Sequence, residues 1–167
     1  AELSRMLAGV EGNVGLNISA TQMALTIGDT YMVTRLIDGQ YPEYSQIIPN
    51  ESGTVINLQH KDLLSALKTS GIFSRGAGSV TMNFNPENQS IQILSASQGV
   101  GESAVDIPCQ VNGDPGSVIM NFRYMLDLLT NTNHATINVH VIDDTKPVVF
   151  RPDGKDNYLY LIMPIRL

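Results

Sequence analysis

An internal repeat limits the fold of this chain more than any local pattern does. Laying residues 56–68 (INLQHKDLLSALK) on residues 118–130 (VIMNFRYMLDLLT) puts Leu63 and Leu64 on Met125 and Leu126, Leu67 on Leu129, and Lys61 on Arg123. Each copy reads as a strand, then a helix, then about three strands, which predicts two equivalent units sharing one core. A partial copy opens the chain: ELSRML at 2–7 is followed by strands up to Ile37, as 121–131 is followed by strands up to Met163. RLIDGQYP (35–42) and YLYLIMP (158–164) close their copies alike, each ending a strand on a proline. The opening copy lacks the strand that precedes its helix. Residues 51–167 are therefore expected to form a complete domain of two halves, and residues 1–50 the second half of a preceding domain.

The local signals agree with an α+β class. Alternation, β-branching and flanking turns predict strands at 16–20, 23–27, 31–37, 80–85, 91–96, 135–142, 147–151 and 158–165. IGDT (27–30), NPEN (85–88) and RPDGKDN (151–157) supply the Gly, Pro, Asp and Asn that tight turns need. Helices are predicted at 2–8, 60–70 and 121–130. In the second, Leu63, Leu64 and Leu67 share one face and Lys61, Ser65 and Lys68 the other. In the third, Phe122, Met125, Leu126 and Leu129 face the core, with Arg123, Asp127 and Thr130 outward.

Composition excludes several function classes. A net charge of −6 argues against tight, general binding to phosphate backbones, though not against a locally basic face. No apolar run approaches the roughly 18 residues of a membrane span, and AELSRMLAGVEG does not read as a signal peptide, so a cytoplasmic protein without membrane contact is expected. The one cysteine, Cys109, reads as a small packed residue. His60, His134 and His140 fall on different elements, which gives no metal-ligand spacing. Asp143 and Asp144 read as turn residues, and the glycine-rich SRGAGS (74–79) leads from a helix into a strand, the reverse of a phosphate loop. No nucleophile constellation appears. The chain is expected to catalyse nothing and to hold no metal or cofactor.

The ending YLYLIMPIRL (158–167) is the most unusual stretch, because it is apolar on both faces at a position where chains are commonly polar and frayed. One set of side chains can enter the core while the other lines an open groove, with Leu161, Met163 and Ile165 alternating against Tyr160 and Ile162. Three stretches, LIDGQYPEYSQIIP (36–49), NFRYMLDLL (121–129) and LIMPIRL (161–167), resemble the β subunit of bacterial DNA polymerase III, the sliding-clamp family. The resemblance runs along the whole chain in order.

This resemblance implies the DNA-clamp fold, in which each complete domain packs two helices against two β-sheets. The chain would supply the last half of the middle domain and all of the third, as a truncated product. The family is a non-catalytic processivity factor that closes as a head-to-tail homodimer ring around duplex DNA. It receives short linear motifs, typically Gln followed by Leu and Phe, from the polymerase III catalytic subunit, the clamp loader and other partners. Carried over, the peptide-binding positions are Pro42, Gln46, Ile47, Asn121, Tyr124, Leu161, Met163, Pro164, Ile165 and Arg166. The DNA-facing positions are Arg5, Lys61, Lys68, Arg75 and Arg123, and the ring-closing edge holds Ile72 and Phe73. Gln46 stands where many relatives carry arginine, which weakens any charge-assisted hydrogen bond there. The groove's other wall would lie in the first half of the middle domain, so this chain alone is expected to be monomeric and to hold half a pocket. Without the resemblance, the same residues describe a β-rich interaction module of unknown ligand.

Overall fold

The computed structural model describes residues 2–41, 43–49, 53–74, 78–97, 99, 101–154 and 158–166. The chain divides into two compact units, Ala1–Glu43 and Tyr44–Leu167.

The first unit holds a short helix, α1 (Glu2–Leu7), and an antiparallel meander of β1 (Gly15–Ile18), β2 (Gln22–Ile27) and β3 (Thr30–Arg35). Leu16, Leu25 and Met32 stand in register across one face, with Ile18 and Met23 beside them. Leu25 and Ile27 are buried, while Leu16 and Ile18 on the same face stay exposed. The predicted strand 31–37 ends at Arg35, where the ladder stops.

The second unit contains β4 (Thr54–Gln59), α2 (His60–Ser70), β5 (Ser79–Asn85), β6 (Ser90–Ser97), β7 (Gly101–Pro108), β8 (Gln110–Asn112), β9 (Gly116–Asn121), α3 (Phe122–Asn131), β10 (Thr136–Val141), β11 (Val148–Pro152) and β12 (Tyr160–Ile162). The repeat is visible in the order of elements: β4, α2, β5, β6, β7 and then β9, α3, β10, β11, β12. The halves exchange their leading strands. β4 pairs with β10 of the other half, Ile56 opposite Val139, and β9 pairs with β5, Val118 opposite Met82. The result is a five-stranded sheet ordered β12-β11-β10-β4-β8 and a four-stranded sheet ordered β7-β6-β5-β9.

Alternation along these strands feeds one core. β4, β5, β9 and β10 bury every second residue, among them Ile56, Leu58, Met82, Met120, Ile137 and Val139. The helices close it with Leu63, Ala66 and Leu67 from α2 and Met125, Leu128 and Leu129 from α3. Leu128 is thus a core residue that the helical pattern did not single out, while Leu64 and Leu126 pack only partly against the cluster. α2 and α3 touch each other, and His60 Nε2 lies 2.8 Å from the Leu129 carbonyl oxygen, joining the start of one helix to the end of the other. Gly71, just past α2, leaves room for the Phe122 ring: a Cβ there would sit 2.9 Å from Phe122 Cε2.

Candidate functional site

β12 divides its apolar residues between two faces. It pairs with β11, Val148 opposite Ile162, Val149 opposite Leu161 and Phe150 opposite Tyr160. Ile162 is in the core at 2% exposure, and Tyr160 packs against that core. Leu161 takes the other face, half-buried beside Val149, and Met163 is 57% exposed. The strand ends at Ile162 rather than running to residue 165 as predicted. Pro164 has no N–H for a ladder. Beyond it the Ile165 N–H donates to the Ile119 carbonyl at 2.7 Å, so the tail leaves the five-stranded sheet and fastens to β9 of the other. Ile165 and Arg166 there line a depression with Ser117, Ile119 and Asp144.

α3 packs beside this tail. Its first turn is fixed by Asn121, whose side-chain oxygen accepts the Arg123 N–H at 2.9 Å, a helix-capping bond. Asn121 follows Ile119 by two residues, so cap and tail anchor are neighbours. Tyr124, one turn on, is 54% exposed. Burial raises the Tyr160 phenol above its ordinary pKa, and the Asp127 charge and the phenols of Tyr158 and Tyr124 raise it further. Of the expected peptide-binding residues, the structure gathers Asn121, Tyr124, Leu161, Met163, Pro164, Ile165 and Arg166 around the α3 start and the tail. Gln46 closes a single 3₁₀ turn, Tyr44–Gln46, with Ile47 after it, and both are exposed. Pro42 lies outside the described residues. Val149 was not among the expected positions. Its signal was the run PVVF, apolar at consecutive positions as in strands covered on both faces.

The cations distribute as follows. Lys61 and Lys68 are exposed on the first and last turns of α2, and Arg123 is exposed on the first turn of α3, its guanidinium 6.0 Å from the Phe122 ring centre. Arg5, in the first unit, forms an exposed ion pair with Glu2. Arg75 lies outside the described residues. Ile72 is 54% exposed after α2, whereas Phe73 is half-buried, its ring near Gly101 at the start of β7.

Two further side chains have pKa values set by their local packing and turn. Asp143 accepts N–H bonds from Thr145 and Lys146, a turn that holds its carboxyl below the usual value, chiefly through Thr145. Burial, and then Arg151, lowers the pKa of His140. Among the described residues no His, Cys, Asp or Glu cluster could hold a metal, and no helix is long and apolar enough to cross a membrane.

Residues 45–166 match the family of the DNA polymerase III beta subunit, C-terminal domain. The chain is 31% identical to the beta sliding clamp of Synechococcus elongatus over 169 residues, covering 99% of this chain and 45% of that protein. It is 22% identical to the beta sliding clamp of Staphylococcus aureus, covering 99% of this chain and 44% of that one. Among solved structures, the Bacillus subtilis DNA polymerase sliding clamp superposes with a TM-score of 0.80 at 28% identity, over 99% of this chain and 44% of that chain. The Thermotoga maritima DNA polymerase III beta subunit gives 0.74 at 25%, over 94% and 42%. The chain thus spans about half the length of the curated relatives it matches.

Proposed function

The chain belongs to the DNA polymerase III β-subunit family, and from that premise we propose that it is the partner-binding part of a replication processivity factor. In this reading residues 51–167 are the clamp's third domain, and 1–50 are the second half of its middle domain. It acts in the cytoplasm as a non-catalytic subunit, in a homodimer ring that encircles duplex DNA. Ile72 and Phe73 lie on the ring-closing edge.

The observation that carries the proposal is the division of β12. A strand that sends Ile162 into the core, leaves Leu161 and Met163 on the opposite side, and is fastened down beyond Pro164 offers an anchored apolar surface on an element that packs against α3. Such a surface suits a short segment ending in apolar anchors, the Gln-Leu-Phe type carried by the polymerase III catalytic subunit and the clamp loader. A β-rich module of unknown ligand accounts for none of the repeat.

The helices support the DNA half of the proposal. Lys61 and Arg123 occupy the first turns of equivalent helices, where a cation opposes the helix dipole at a cost of about 0.3–1 kcal/mol. With so few cations, the helices suit a surface that skims phosphates without holding them. Fluorescence anisotropy with a labelled Gln-Leu-Phe peptide tests the groove: saturable binding, competed by unlabelled peptide and abolished by scrambling its sequence, is expected. Equal binding of the scrambled peptide contradicts the proposal.

A further inference from the structure

We infer that Tyr124, Tyr158, Tyr160 and Asp127 form a subsite for the side chain of an arginine in the partner segment, adjoining the apolar groove. The inference rests on the groove proposed above, and it adds a charge requirement to the partner's chemistry. Tyr124 and Asp127 are three apart on α3 and so share one helix face. β12 packs against α3, and its Tyr160 packs against the core that α3 closes, with Tyr158 two residues earlier in the chain. Tyr124 and Tyr158 are both exposed large side chains, and Met163, also exposed, lies just beyond the strand.

The carboxylate is available to a ligand. Among the described residues no cation forms a salt bridge with the Asp127 carboxylate. Arg123, one turn earlier, lies over the Phe122 ring instead. The Asp127 charge acts on the Tyr160 phenol, as Tyr158 and Tyr124 also do, and the negative charge of this group of side chains comes from the one carboxylate. Tyrosine ring faces beside a carboxylate attract a guanidinium through the ring quadrupole and the charge together. A glutamate at the same place in the partner meets repulsion instead.

The test has two arms on the 167-residue chain. In the first, ring-proton NMR follows a titration with N-acetyl-arginine amide and, separately, with N-acetyl-glutamine amide. Saturable shifts of the Tyr124, Tyr158 and Tyr160 rings are expected with the arginine probe alone, weakened by salt and by Asp127→Asn. In the second, two Gln-Leu-Phe peptides are compared, one flanked by arginine and one by glutamine. The arginine peptide should bind about fivefold tighter, the combined scale of an exposed ring contact and a surface ion pair, and the gap should close in Asp127→Asn and Tyr158→Leu. Equal ring shifts from both probes, or a gap that Asp127→Asn leaves intact, overturns the inference. Equal binding of the two peptides leaves the groove standing and removes the subsite. Failure of both peptides to bind, with the arginine probe still shifting the rings, removes the groove and leaves the subsite.

Discussion

Two adjacent residues, Ile162 and Met163, should separate folding from binding. Ile162 is 2% exposed and touches the shared core, so Ile162→Ala removes buried methylene groups and leaves a cavity at a cost of about 2–5 kcal/mol. Met163 is 57% exposed, so less than half its surface is withdrawn from water. Since full burial of a methionine is worth about 1.5–3 kcal/mol, Met163→Glu should cost about 1 kcal/mol of stability at most. The same change puts a carboxylate where an apolar anchor docks. Losing an anchor contact costs about 2 kcal/mol, roughly thirtyfold in affinity. Urea titration followed by circular dichroism measures the first quantity, and peptide anisotropy the second. The expected pattern is crossed: Ile162→Ala moves the midpoint strongly and, while folded, keeps its affinity within a few-fold, whereas Met163→Glu does the reverse. If Met163→Glu unfolds the domain, or leaves peptide affinity unchanged, the tail is core and no groove exists.

Duplex DNA should bind with a dissociation constant of about 10⁻⁴ M or weaker, and Lys61→Glu combined with Arg123→Glu should lower the salt slope by about 2 in electrophoretic or anisotropy assays. Sub-micromolar binding at physiological salt would refute that. Gly113→Ala should destabilise by about 1–3 kcal/mol, because Gly113 has φ +132° and a Cβ would lie 2.5 Å from Thr54 Oγ1 and 2.7 Å from Thr54 Cα. Gly154→Ala, at φ +73° with nothing within 4 Å, should cost less, and equal midpoints in urea would contradict the packing argument. Burial pushes the Cys109 thiol up to about 11 from 9.0, against a lowering backbone bond at Ile91. Because the folded value is the higher one, this contribution to stability is complete below pH 9 and is lost as pH rises toward 11. Iodoacetamide at pH 8.5 should therefore alkylate the folded chain much more slowly than the urea-unfolded chain, and equal rates would rule this out.

The repeat was legible because it rests on apolar spacing, and spacing survives in the sequence. The exchange of β4 and β9 between halves was not, since pairing between residues as distant as Ile56 and Val139 leaves no local trace. β7 and β8 escaped notice for another reason. Both are edge strands, and in GESAVDIP only Ile107 is buried, so neither periodicity nor hydrophobicity marks the segment. Leu128 was hidden by Leu129: adjacent leucines are both buried where a helix is covered broadly, and a narrow stripe predicts only one. At the tail, the two-faced apolar pattern was readable, but the early end of the strand depends on a bond from Ile165 to Ile119 in the other sheet. Val149, Tyr158 and Asp127 entered the candidate site only through register and helix packing, which bring together elements that are far apart in the chain.

The most direct measurement is an amide chemical-shift map of the chain saturated with a Gln-Leu-Phe peptide. Shifts should concentrate at Tyr124, Leu161, Met163 and Ile165, along α3 and the tail. The outer face of the four-stranded sheet carries another depression, lined by Thr81, Leu94 and Ala104 and meeting the tail's at Ile119, which offers the natural competitor. Shifts centred on Thr81, Leu94 and Ala104, with Tyr124 and Met163 unmoved, would contradict the account.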